Sequence, residues 1–215
     1  MAKSLDVDRV LDAATSIVLQ DGFESANLRT IAAKARITEE ELLTLFTSPG
    51  HLFGALLDRE YAGIFRVTMD HIERDPLGGL LSHMYRHTIG AIHERPLARA
   101  LYLTDPVALN TIMRSSYGFD YLPELGPRAE FIDLMKDAGM VRHDIDSTSL
   151  SAVLGSVVAG ASLTAPHEDL DRLVNGLTVM LERSVDTEVR DTSRGKHAFV
   201  RFVTGLTQGR DSGNE

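Results

Sequence analysis

Along nearly the whole of this 215-residue chain, apolar residues recur three and four positions apart, and strand-like alternation is absent. A period near 3.6 lines one face of a helix and cannot point inward from a pleated strand, so the pattern predicts an all-α fold. Helices are predicted over about 7–20, 28–35, 39–46, 49–74, 80–93, 96–103, 106–115, 124–138, 147–163, 168–186 and 196–208, with loops at 115–123 and 188–195. Several helix starts are legible. Asn27 can cap the second helix, Thr38 with Glu41 makes a capping box for the third, and Ser48 followed by Pro49 opens the fourth. Asp75-Pro76-Leu77-Gly78-Gly79 is the expected hinge between an N-terminal head and the body.

The composition narrows the function classes. With 43% hydrophobic residues the chain can bury a full core, as one large domain or two small ones. It has no cysteine, which excludes disulfides, thiolate metal ligands and cysteine nucleophiles and fits a reducing cytoplasm. Its first ten residues are polar and unlike a signal peptide, and its longest small, apolar run (152–165) is broken by Gly155, Ser156, Gly160 and Ser162, so no membrane partner is expected. There is no Gly-rich phosphate loop, nucleophile elbow or HExxH pair. The expectation is a cytoplasmic protein that is not an enzyme and carries no cofactor.

The short helices 28–35 and 39–46, separated by Arg36-Ile37-Thr38, have helix-turn-helix spacing, in which the second helix enters a major groove. The order Leu11-Asp12-Ala13-Ala14, Asp21-Gly22-Phe23, Leu28-Arg29-Thr30-Ile31-Ala32, Ala35, Ile37-Thr38, Leu42, Phe46, Ser48 and Leu52 resembles the tetracycline-repressor (TetR) family of bacterial regulators. The segments 96–101 and 139–146 are similar to body segments of that family. The resemblance implies a three-helix helix-turn-helix head at 1–50, joined by a long helix to a helical ligand-binding and dimerisation body at 51–215; the residues themselves add a less expected basic amphipathic helix and tail at 192–215. It also implies that DNA would be met by Arg29, Lys34, Arg36, Thr38, Glu39, Glu40, Leu43, Thr44 and Ser48.

Those positions depart from the family pattern. Glu39-Glu40-Glu41 stand where basic or small residues, then Thr or Ser, are usual; Leu43 replaces the usual aromatic, Thr44 a His or basic residue, Pro49 a phosphate-gripping Lys, and Arg36 the turn glycine. Residues 1–60 carry six basic against ten acidic side chains, a handicap for phosphate neutralisation. The glutamates have a plain helical reading, since acids in a first turn favour the macrodipole. One of them could also accept from cytosine N4. Operator binding and a different task for this face both stay open.

In the body, His83 and His87 lie one helical turn apart, which is metal-ligand spacing, but no third ligand is in register and no metal is expected. His51, His71 or His93 could supply one only if the fold brought them close. The resemblance offers a pocket for a small apolar or aromatic ligand, lined by His83, Met84, His87, Tyr102, Met113, Tyr117, Phe119, Tyr121, Phe131 and Met135; ordinary core packing is the alternative. Val153, Val157, Val158 and Ala161 on one helix, and Leu173, Leu177 and Met180 on the next, are candidates for a four-helix homodimer interface. The last helix sets Ala198, Phe199, Phe202, Val203 and Leu206 among Arg194, Lys196, Arg201 and Arg210. It could contact nucleic acid, a membrane or an acidic partner, but docking on its own body or on its dimer mate is the expectation. The leading reading is a TetR-like, ligand-responsive homodimeric transcriptional regulator with an atypical recognition helix. The alternative is the same fold without DNA binding, acting through a protein partner or a small molecule.

Overall fold

The computed structural model describes residues 6–101, 108, 111–112, 128–164 and 167–211, and their side chains except at 158–164, 167–170 and 206–211. Ten α-helices and no strand are found among the described residues. They are α1 (Val7–Asp21), α2 (Leu28–Ala35), α3 (Glu39–Leu45), α4 (Pro49–Arg74), α5 (Leu81–Glu94), α6 (Pro96–Arg99), α7 (Ala129–Asp137), α8 (Ser147–Thr164), α9 (His167–Ser184) and α10 (Ser193–Asp211). A single 3-10 turn, Phe23–Ser25, links α1 to α2. The helix predicted at 106–115 lies mostly outside the described residues. No described helix is long and apolar enough to cross a membrane.

The chain forms two compact units, residues 1–63 with 94–122, and residues 64–93 with 123–215. It passes from the first to the second between Gly63 and Ile64, within α4. In the first unit, Val10, Ala14 and Ile17 of α1, Ile31, Ala32 and Ala35 of α2, Leu42 of α3, and Leu52, Leu56 and Leu57 of α4 are buried together as its apolar core. Phe23 and Phe53 pack with ring centroids 5.0 Å apart. Arg59 of α4 donates to Asp12 Oδ1 at 2.8 Å and to Thr15 Oγ1 at 3.1 Å on α1, fixing the two helices in register.

The second unit is built on one apolar cluster that includes Ile72, Leu81, Met84, Phe131, Ile132, Met135, Leu154, Leu181 and Phe199. Four details differ from expectation. α7 begins at Ala129 and not at 124, since Arg128 before it is extended (ψ 150°), and α10 begins at Ser193, inside the expected 188–195 loop, where Asp191 Oδ1 accepts from Ser193 N–H at 2.9 Å. The Asp75–Gly79 break is a packed turn of this unit and not a hinge between units: Gly78 N–H donates to the Asp75 carbonyl at 3.0 Å, and Gly79 N–H donates to Thr192 Oγ1 at 3.3 Å. A Cβ at Gly79 would stand 1.9 Å from the Thr192 carbonyl, so only glycine allows this backbone approach. α9 ends at Ser184 and not at 186, because Asp186 leaves the helix to form an isolated antiparallel bridge with Val141. Its carboxylate then accepts from Leu81 N–H at 3.1 Å and from the Ser82 hydroxyl, capping α5 from a residue more than a hundred positions away.

Candidate functional site

The geometry of the α2–α3 segment follows from local capping. Asn27 Oδ1 accepts from Thr30 N–H at 3.1 Å, and Thr30 Oγ1 accepts from Asn27 N–H at 3.1 Å, which starts α2. Arg36 ends it in the left-handed conformation, φ 58°, its backbone N–H turned back onto the last turn of α2. Thr38 then caps α3, and Ser48 Oγ accepts from His51 N–H at 3.1 Å at the start of α4. These stops and starts place α2 and α3 as a helix-turn-helix. Leu42 is buried beneath α3, whereas Arg29, Lys34, Arg36, Thr38, Glu39, Glu40, Glu41, Leu43, Thr44 and Ser48 are all exposed. Leu43, 44% exposed, is an apolar side chain facing solvent beside three carboxylates. Lys34 Nζ donates to Gln20 Oε1 at 2.9 Å, and Thr44 Oγ1 to the Glu40 carbonyl at 3.0 Å.

A second cluster lies in the other unit, where α4 turns into α5. Asp75 Oδ1 accepts from Leu77 N–H at 2.9 Å, an Asx-type closure of the turn. Its other oxygen, Oδ2, stands 2.7 Å from His83 Nδ1 and 2.7 Å from His87 Nε2. The far nitrogen of His83, Nε2, is 3.3 Å from Glu182 Oε1 on α9. Arg86 reaches the same corner, its NH2 3.5 Å from Asp75 Oδ2 and 3.2 Å from His83 Nδ1. The His71 ring stands edge-on to His87, centroids 5.7 Å apart. Burial pushes the Asp75 carboxyl up, but hydrogen bonds from both imidazoles and the Leu77 amide outweigh it and hold Asp75 well below the usual carboxylate range. Burial pulls His87 below the usual histidine range, a shift that its bond to Asp75 only partly offsets. Asp186, mostly desolvated, is pushed up to about 6 despite its bonds to Ser82 and Leu81.

No family model matches the sequence, and no curated protein matches it. Solved structures do. SmeT, the repressor of the Stenotrophomonas maltophilia multidrug efflux pump SmeDEF, is 16% identical, with 87% of this chain and 93% of that chain covered at a TM-score of 0.59. A γ-butyrolactone receptor, an ArpA-like protein, is 20% identical with 90% and 94% covered at 0.55. A Mesorhizobium loti protein described as a TetR-family transcriptional regulator is 18% identical with 84% and 96% covered, also at 0.55.

The fold is that of the TetR-family regulators. The residues expected to line a ligand pocket separate into two groups. Met84, Phe131 and Met135 are packed in the core of the second unit, where the Phe131 ring lies 4.9 Å from Phe202 and 6.0 Å from Phe199. His83 and His87 instead converge on Asp75. Tyr102, Met113, Tyr117, Phe119 and Tyr121 lie outside the described residues. A shallow groove of about 260 Å³ is lined by Met69, Ile72, Glu73, Lys196 and Phe199, among others, and none of the expected pocket residues borders it.

The candidate dimer residues divide as well. Leu177 is buried in its own unit and Val157 and Leu173 are half-buried, whereas Val153 and Met180 are 56% and 66% exposed. The side chains of Val158 and Ala161 lie outside the described set. The basic last helix docks on its own unit: Ala198, Phe199 and Val203 are buried, Lys196 Nζ donates to the Glu73 carbonyl and Arg194 to the Asp137 carbonyl, both at 2.9 Å. The residue that joins His83 and His87 is Asp75, and not His51, His71 or His93, the three histidines that the sequence pattern offers. The available signal was a carboxylate eight residues before His83 across a Pro- and Gly-containing turn tight enough to fold back on the helix.

Proposed function

We propose that this chain is a homodimeric, ligand-responsive transcriptional regulator that offers α3 to operator DNA. The observation that carries the reading is the capped α2–turn–α3 segment with every expected DNA-facing side chain exposed. Arg29, Lys34 and Arg36 would position the head on phosphates, while Glu39 or Glu40 accepts from cytosine N4 and Leu43 meets a thymine methyl. Ligand bound by the second unit would shift the population of operator-competent dimers through α4, the helix common to both units. The efflux-pump repressor and the γ-butyrolactone receptor that share the fold are named for regulation and for ligand recognition, which favours the same division of labour here.

Binding of the purified protein to random duplex and to its own upstream region, at about 50 and about 200 mM salt, tests this. Six cationic contacts per dimer predict upstream-specific binding that falls by roughly 10³-fold between the two salts. No binding at either salt would overturn it. The row Glu39–Glu41 beside exposed Leu43 favours one second reading, in which α3 meets a basic protein surface and not a phosphate-lined groove.

A further inference from the structure

We propose that Asp75, His83 and His87 form a binding site for a borderline divalent transition-metal cation, zinc foremost. Among the described residues, these are the three side chains whose ligand atoms come together in the way a metal ion requires, all within 4.8 Å of one another. Two imidazoles and a carboxylate are a donor set for zinc and its neighbours; calcium and magnesium take oxygen ligands throughout. The three side chains are inside the protein, His83 buried and the other two half-buried.

The arrangement is built from both sides. His83 and His87 are one turn apart on α5, so their rings leave the same face of the helix. Asp75 is held by the turn that its own Oδ1 closes, which leaves Oδ2 to the two rings. The turn lies close on the end of α4, where only glycine fits: a Cβ at Gly78 would lie 2.2 Å from the Ile72 carbonyl. A tetrahedral ion about 2.0–2.2 Å from each ligand spreads its ligand atoms to about 3.4 Å. The present spacings therefore need only small side-chain rotations.

The contact at Glu182 carries the inference furthest. When His83 Nδ1 coordinates the ion, the ring's one proton is placed on Nε2, which faces a carboxylate 3.3 Å away. That is the carboxylate–histidine–metal relay that fixes ring orientation and tautomer at metal centres. Without an ion, both nitrogens of one ring face carboxylates while a guanidinium presses on one of them. The cation replaces the hydrogen bonds between Asp75 Oδ2 and the two rings, each neutral ring then carrying its single proton on the nitrogen that does not ligate. Arg86 must withdraw, and its half-exposed side chain can swing to solvent. Three protein ligands leave a fourth position for water or for a coordinating small molecule.

The test uses the full chain stripped with a chelator, then titrated with Co²⁺ by visible absorption and with Zn²⁺ by calorimetry. Expected are one Co²⁺ per chain with tetrahedral d–d bands, displacement by Zn²⁺, and at least about 100-fold weaker binding in Asp75→Asn and His87→Gln. Glu182→Gln should weaken binding by about 10–100-fold without changing the stoichiometry, and Arg86→Gln should tighten it. His197→Gln, exposed on α10, should bind like the parent. Far-UV circular dichroism identifies any variant that fails to fold, and the partly exposed Glu182 and Arg86 variants then decide. Absence of stoichiometric binding in the parent would overturn the proposal. So would equal affinity in folded Asp75→Asn, or a loss in Arg86→Gln as large as in the ligand variants. DNA takes no part in the measurement, so its result is independent of the operator reading.

Discussion

Thr38 and Glu41 cap the start of α3 in both directions. Glu41 N–H donates to Thr38 Oγ1 at 3.1 Å, and Glu41 Oε2 accepts from Thr38 N–H at 2.8 Å. The three glutamates that open α3 are therefore not equivalent. Glu41 is engaged in closing the helix, and the proposed role of this acidic face rests on Glu39 and Glu40.

Removing either half of the pair should loosen α3. Thr38→Ala is expected to cost about 0.5–2 kcal/mol of unfolding free energy and Glu41→Ala about as much, while Glu39→Ala stays within about 0.5 kcal/mol. Urea unfolding measures all three. Equal effects at Glu39 and Glu41 would contradict the capping assignment.

Charge reversal at the two uncommitted positions addresses orientation. If α3 meets the duplex, Glu39→Lys with Glu40→Lys should raise affinity for random duplex at low salt and steepen the salt slope by up to about four per dimer. An unchanged affinity would mean that these carboxylates do not face DNA.

In the first unit, Glu60 is only 5% exposed and is held by Arg95 through Nε at 3.1 Å and NH2 at 2.7 Å. Arg95→Ala would leave a buried carboxylate without its cation, and a loss of about 3 kcal/mol is expected. Glu60→Leu combined with Arg95→Met should recover most of that loss. If the double variant were as unstable as the single, burial of an unpaired charge would not be the cause.

Asp186 sets a pH dependence whose sign is unusual for a carboxylate. Its folded pKa of about 6 lies above the ordinary 3.8, so the folded state holds the proton where the unfolded chain has released it. This contribution is fully present below about pH 4 and is lost as pH rises toward about 6, in total about 3 kcal/mol. Asp186→Asn should flatten the urea midpoint against pH across that window. An identical slope in both proteins would refute the assignment.

The exposed apolar residues on α8 and α9 are expected to meet a second copy of the chain. Met180→Glu should convert the dimer to monomer in sedimentation at micromolar concentration while leaving helix content unchanged, because Met180 is largely outside its own core. A dimer that survives the change would place the interface elsewhere.

How much was legible in advance depended on how far apart in sequence the interacting groups lie. The capping residues Asn27, Thr38, Glu41 and Ser48 act within three positions, so residue type and spacing sufficed. The bounds of α2 and α4 followed from the same signals. Met84, Phe131 and Met135 had the spacing of buried residues, but periodicity does not distinguish a side chain that fills a core from one that borders a pocket.

The sequence by itself determined the bounds of α2 and α4, the caps at Asn27, Thr38 and Ser48, and the helix-turn-helix at 28–45, because each depends on hydrogen bonds and apolar periodicity within a few residues. Only the tertiary structure decided that Asp75 joins His83 and His87, that Glu182 stands behind His83, and that Asp186 caps α5. Those relations close over eight to more than a hundred residues. They depend on a turn locked against Thr192 and on the packing of α9 beside α5, which local propensity does not encode.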